Sequence, residues 1–335
     1  MVIRGIAALA VLVWHQQGYL AKFPAFLNVP GRVSVWIFFG ISGYVISYGF
    51  IYQRYRVTKW RDMIDYYINR ALRIYPLFLF LSAACWLTEK SLHGGIPIPF
   101  EAAPAQLLAL QWNQNYLLLG VFWTLGIELQ FYLLAPFLSL LLLGGCERWI
   151  GVGMGGSLYA ASLFVVNSFS EKYGTSFDSR NLVGALPHFI CGMVGCRAVV
   201  GAKPSKTIAW ISCLLGLMGV SYVSYIYHTE PSRFWSYKGI LMVDGVILLF
   251  IFSHAYFQES RVTSWWGRFT YKIASSIGIL SYGIYAWHAY GLKYSPFLTQ
   301  NLSALILASC LAALGTYLFI ERPALSFRRV HRSQS

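Results

Sequence analysis

The sequence predicts an all-α, polytopic membrane protein that crosses the bilayer about ten times, with both termini on the cytoplasmic side. Three observations predict it. Hydrophobic residues make up 57% of the 335-residue chain and charged residues only 11%, against roughly 25% charged in soluble domains. Apolar runs of about 20 residues, the length that carries a helix across a ~30 Å hydrocarbon core, recur along nearly the whole chain. The 26 Lys and Arg, set against 12 Asp and Glu, sit in short clusters between those runs. A net charge of +14 would suit nucleic acid if it were spread over a surface. Clustered between apolar runs it is the positive-inside pattern instead, and no nucleic-acid partner is expected.

The spans follow in order. Span one, 2–21, has one basic residue and no small-x-small cleavage site, and more spans follow it, so it is not a signal peptide. Span two is 31–52 and span three 71–88. Residues 105–112 form a short run punctuated by prolines, read as an interfacial helix outside the membrane. Spans four to ten are 123–143, 149–168, 182–200, 207–227, 238–255, 273–292 and 297–320. With a cytoplasmic N-terminus, 18 of the 26 basic residues fall inside, among them Arg4, Arg70, Arg73, Arg148 and Arg197, and 8 outside. An odd number of spans spoils that asymmetry. Tyr and Trp near many span ends fit interfacial anchors. No Pro- or Ser-rich linker and no short-period repeat interrupts the chain, so residues 1–335 are expected to form a single membrane-embedded domain with no appended soluble domain. The six cysteines lie mostly within apolar segments and lack metal-ligand spacing, so neither a metal site nor a disulfide framework is expected.

Ionisable side chains at membrane depth are costly and mark candidate functional sites. His15 stands eleven residues after Arg4, about 16 Å along a helix at 1.5 Å per residue, which places it near the bilayer midplane. Eleven residues are also close to three turns, so the two side chains share a face. Packing accounts for such a pair as well as function does. Glu128 lies in the first turns of span four, where a carboxylate needs a partner or water. Arg70 and Arg73, at i and i+3, share a helix face; paired guanidiniums suit phosphate, although cytoplasmic anchoring also explains a basic residue there. Asp244 in span eight and Glu321 at the close of span ten read as members of structural ion pairs. His288 in span nine reads as a satisfied interfacial histidine, and His188 as a packing residue.

These segments together resemble the membrane-bound acyltransferase-3 family, which includes bacterial O-antigen and exopolysaccharide O-acetyltransferases. The likeness is an ordered series: Arg4 with His15; Phe38-Phe39-x-x-Ser42-Gly43-Tyr44; Arg70-x-x-Arg73-x-x-Pro76; Trp123-Thr124-Leu125-x-x-Glu128-x-x-Phe131-Tyr132; Ser281-Tyr282-x-x-Tyr285-x-x-His288; and Glu321-Arg322-Pro323. One departure stands at the start, where only Met1, Val2 and Ile3 precede the signature arginine.

The resemblance implies a multi-pass protein of the bacterial inner membrane that transfers an acyl group, usually acetyl, from cytoplasmic acyl-CoA to a hydroxyl. The acceptor is expected to be a sugar of a cell-surface or lipid-linked glycan such as O-antigen. Acetyl-CoA enters as a co-substrate, and no tightly bound cofactor or metal is expected. Arg4, Arg70 and Arg73 are the candidates for holding the CoA phosphates. His15, as base or transient acyl carrier, and Glu128, orienting the histidine or the acceptor, are the catalytic candidates. Ser42, Tyr282 and His288 are candidates for oxyanion or structural support. The rival reading is a proton-coupled transporter or flippase for a lipid-linked or small acidic substrate, which also needs intramembrane His, Glu and Asp. Such proteins commonly have two repeated halves, and no internal symmetry is detectable.

Overall fold

The computed structural model describes residues 2–16, 24–52, 55, 59–94, 118–143, 147–173, 180–201, 205–259 and 265–329. Among these the chain is helical, without strands: α1 (Val2–His15), α2 (Gly31–Ile51), α3 (Trp60–His93), a 3₁₀ turn (Gly120–Phe122) leading into α4 (Trp123–Leu143), α5 (Arg148–Tyr173), α6 (Leu182–Val199), α7 (Lys206–Thr229), the short α8 (Pro231–Phe234), α9 (Tyr237–Glu259), α10 (Trp265–Tyr294), the short α11 (Pro296–Gln300), α12 (Leu302–Thr316), a π-helical turn (Tyr317–Glu321) and α13 (Arg322–Ser326). Polarity is reversed relative to a water-soluble bundle. Phe319 and Phe164 are 82% and 73% exposed, whereas His188, Asp244, Ser281, His288 and Glu321 are buried. Large apolar side chains outside and polar groups inside are what a lipid solvent dictates.

Eight helical stretches among the described residues are long and apolar enough to cross a membrane, two fewer than the ten spans expected. The other two expected spans correspond to α1 and α10. At 14 residues, α1 is about 21 Å long, and residues 17–21 of expected span one lie outside the described residues. At 30 residues, α10 is long enough, but it carries Ser275, Ser276, Ser281, Tyr282, Tyr285 and His288. The proposed interfacial helix at 105–112 also lies outside the described residues.

The third span differs most from expectation. It begins at Trp60 rather than 71 and runs for 34 residues, about 51 Å. The amphipathic stretch before Arg70 continues the helix, with the Lys59 backbone N–H donating to Asp62 Oδ2 at 3.1 Å. Arg70 and Arg73 therefore stand about three turns inside a rigid helix. Its far end stops at Gly94, whose φ of 68° is a left-handed conformation that glycine adopts without strain.

Close glycine contacts set the helix register. A Cβ on Gly5 of α1 would meet the Gly278 nitrogen of α10 at 2.9 Å, and at the other end of α1 His15 meets His288. Both pairs are 273 positions apart, so α1 and α10 run parallel, as alternating traversal requires of the first and ninth spans. Gly43 of α2 abuts the Phe189 carbonyl of α6, and Gly192 of α6 abuts the Gly40 carbonyl, a small-residue crossing of the kind that lets membrane helices approach closely. On the α9 side of this seam, Asp244 accepts from Tyr159 Oη at 2.7 Å and meets His188 Nδ1 at 2.7 Å. Trp36 stacks on His188 at 4.7 Å between ring centroids. The acid expected to sit in an ion pair has as its partner the histidine expected only to pack.

Candidate active site

His15 occupies the last turn of α1. Its Nδ1 lies 3.0 Å from Nε2 of His288 on α10. His15 is an exposed residue at the end of α1, whereas His288 is wholly buried. Beside them, Gln16 Nε2 donates to the Thr299 carbonyl at 2.9 Å, tying the end of α1 to α11. The Tyr285 ring packs edge-on against His288 at 5.7 Å. Its hydroxyl donates to the Val121 carbonyl at 3.3 Å and accepts from Thr124 Oγ1 at 3.2 Å.

Tyr285 and Thr124 also line a cavity of about 40 Å³ that reaches down to Arg4, Ser42, Glu128 and Tyr282. Residues from α1, α2, α4 and α10, up to 281 positions apart in sequence (Arg4 to Tyr285), thus share one small chamber. Glu128 Oε1 accepts from Ser42 Oγ at 3.1 Å and from the Tyr132 hydroxyl, one turn further along α4. Ser42, a candidate for oxyanion or structural support, thus has its hydroxyl hydrogen-bonded to the carboxylate. Tyr282 lines the wall and donates to the Ile74 carbonyl at 3.0 Å, anchoring α10 to α3 beside Pro76.

Three guanidiniums gather at the other end. Arg4 lies 5.5 Å over the Phe38 ring, within electrostatic reach of Glu128, Arg73 and Arg70. Arg70 donates to the Tyr55 hydroxyl and lies over the rings of Tyr55, Tyr66 and Tyr132 at 4.9, 5.8 and 5.6 Å. Arg73 forms an ion pair with the buried Glu321 at 3.5 Å. The π-helical turn that ends on Glu321 is a local irregularity of the sort common at functional sites. The two arginines expected to act as one phosphate grip therefore have different partners, one an aromatic cage and the other a carboxylate. Three guanidiniums against Glu128 and Glu321 leave this cluster with a surplus positive charge. Nε of both Arg4 and Arg70 makes no hydrogen bond among the described residues.

Residues 2–321 match the profile of the acyltransferase-3 family, described as an acyltransferase domain. The chain belongs to that family. The match begins before Arg4 and ends on Glu321, so it takes in all of these site residues. Among curated proteins, the chain is similar to the peptidoglycan O-acetyltransferase OatA of Listeria monocytogenes, 24% identical over 85% of this chain and 48% of the relative. It is also similar to the O-acetyltransferase OatA of Staphylococcus aureus, 24% identical over 96% of this chain and 56% of the relative. The chain thus spans about half the length of these relatives. No solved structure matches it.

Within this acyltransferase-3 domain, sequence reasoning missed Tyr132, Tyr55 and Thr124 as partners of the site. The signal for Tyr132 was present, since it follows Glu128 by four residues and shares its helix face. For Tyr55, in a stretch between helices, no spacing rule indicated that its ring would cover Arg70.

Proposed function

We propose that the protein is a membrane O-acyltransferase of the bacterial inner membrane. It moves an acetyl group from cytoplasmic acyl-CoA to a sugar hydroxyl of a cell-surface or lipid-linked glycan. The observation that carries this reading is the convergence of Arg4, Ser42, Glu128 and Tyr282 on one cavity; its wall residue Tyr285 packs against His288, the partner of His15, although neither histidine lines the cavity itself. The surplus positive charge around Arg4 and Arg70 favours a polyanionic donor.

In the proposed reaction, His15 takes the proton from the acceptor hydroxyl as its oxygen bonds to the thioester carbonyl carbon. The C–S bond then breaks, and the CoA sulfur leaves with the proton returned by His15. An acyl group carried briefly on His15 reaches the same products in two steps. Glu128, held by Ser42 and Tyr132, balances Arg4 and keeps its guanidinium at the cavity. The names of the relatives direct the choice of acceptor towards peptidoglycan as well as the O-antigen that the family resemblance suggested.

The test is purified protein in nanodiscs with acetyl-CoA and a panel of O-antigen and peptidoglycan fragments. Free CoA and O-acetylated glycan should appear together, and His15→Ala should abolish both while the protein remains monodisperse. Normal turnover by that variant, or no CoA release with any glycan, would overturn the proposal. In cells, deletion should remove an O-acetyl signal from the NMR spectrum of the surface glycans.

A further inference from the structure

Imidazole has two nitrogens, and in the neutral ring only one holds the lone pair that takes a proton or attacks a thioester. We infer that His288 is a positioning residue that sets the tautomer of His15 and so reserves Nε2 of His15 as the reactive nitrogen. The inference rests on the acyltransferase role proposed for His15 above.

The chain of hydrogen bonds begins at the backbone. His288 Nδ1 lies 3.3 Å from the Ile284 carbonyl oxygen, a group that only accepts, so Nδ1 of His288 carries the hydrogen. Its Nε2 is then the lone-pair nitrogen. That nitrogen faces His15 Nδ1 at 3.0 Å, so His15 Nδ1 is the donor. The lone pair of His15 is thereby placed on Nε2.

Ring geometry agrees with a true hydrogen bond. The planes differ by 16° and the centroids are 5.2 Å apart, which is the 3.0 Å nitrogen separation plus one ring radius on either side. The rings therefore meet edge to edge in nearly one plane, where the N–H and the lone pair both lie, rather than face to face. Burial completes the assignment. His288 is sealed inside the bundle and His15 is exposed, so substrate reaches His15 by the edge away from His288. The Gly5–Gly278 contact fixes the axial position of α1 on α10 and keeps the two rings level.

When His15 Nε2 takes the acceptor proton, the positive charge is shared with a donor already aimed at His288 Nε2, and the hydrogen bond becomes charge-assisted. A carboxylate orients a catalytic histidine in the same manner. The neutral imidazole here supplies the orientation without a full counter-charge.

The experiment compares His288→Gln, His288→Asn and His288→Leu in nanodiscs by steady-state kinetics with acetyl-CoA and an accepted glycan. The glutamine oxygen reaches the place of the imidazole Nε2 and accepts from His15. Asparagine is one methylene shorter and does not. His288→Gln should keep kcat within about fivefold, whereas His288→Asn and His288→Leu should lose about 10²-fold, the scale of an acid–base contribution. The KM for acetyl-CoA should stay unchanged, and the pH–rate profile of the Asn variant should shift. The Gln and Asn variants differ by one methylene, so the comparison stands even where the Leu variant assembles poorly. Equal losses in the Gln and Asn variants, or wild-type kcat and pH profile in the Asn variant, overturn the inference while His15→Ala remains inactive. Activity in His15→Ala would instead overturn the role of His15 itself.

Discussion

Replacing Gly43 with alanine tests whether the α2–α6 seam holds the Glu128 carboxylate in place. A Cβ at this position falls 2.1 Å from the Phe189 carbonyl oxygen and 2.9 Å from its carbonyl carbon, both backbone atoms with no rotamer to move. To restore ordinary contact the helices must part by about 1.3 Å, from 2.1 to 3.4 Å. Overpacking of this kind costs about 1–3 kcal/mol. If α2 takes up the displacement, Ser42 leaves Glu128 as well, since their 3.1 Å bond has no such slack. A hydrogen bond to a charged group is worth about 1.5–3 kcal/mol, so at about 1.4 kcal/mol per tenfold acyl transfer should fall by about 10- to 100-fold. The assays are thermal unfolding of the purified protein and CoA release. Gly245→Ala is the matched control, because nothing lies within 4 Å of a Cβ there. Wild-type stability and turnover in Gly43→Ala would refute the claim that this seam positions Glu128.

Two further outcomes follow from buried polar pairs. Removing one partner of a buried ion pair costs about 3–5 kcal/mol because the other is left uncompensated. Arg73→Ala should therefore lower the unfolding temperature, and Arg73→Ala with Glu321→Ala should lower it by less than the two single losses combined; a double-mutant cycle with no coupling would remove the pair from the account. At the second pair, Asp244→Ala leaves both His188 and Tyr159 without their acceptor and should destabilise by several times the ~1 kcal/mol expected of Tyr159→Phe. Since this network does not line the cavity at Arg4 and Glu128, acetylation per folded molecule should persist in both variants, and a selective loss of kcat would contradict that separation.

Membrane character was legible residue by residue, because the burial of apolar side chains in lipid leaves long uninterrupted runs that nothing else produces. His15, Glu128 and the three arginines stood out as ionisable groups in or beside such runs, where packing or anchoring also explained several of them, and Ser42 and Tyr282 came only from the family resemblance; the structure adds that Arg4, Ser42, Glu128 and Tyr282 line one cavity. Helix bounds were less so. Hydropathy stops where charges begin, and the 34-residue α3 continues past Arg73 and Arg70 to Trp60 because an amphipathic stretch can prolong a helix beyond the membrane core.

What the sequence by itself determined is the inventory: an all-α membrane chain with an ordered set of polar residues on its helices. What only the tertiary structure decided is partnership. His188 looked like packing and proves to be the partner of Asp244; Arg70 and Arg73 looked like one grip and have separate partners; His288 looked like a satisfied interfacial residue and faces His15. The physical reason is that a helix repeat specifies which residues share a face but not which face of another helix it meets. That choice is made by close contacts hundreds of positions apart in sequence, Gly5 on Gly278 and Gly43 on Phe189, where the absence of a side chain sets the register.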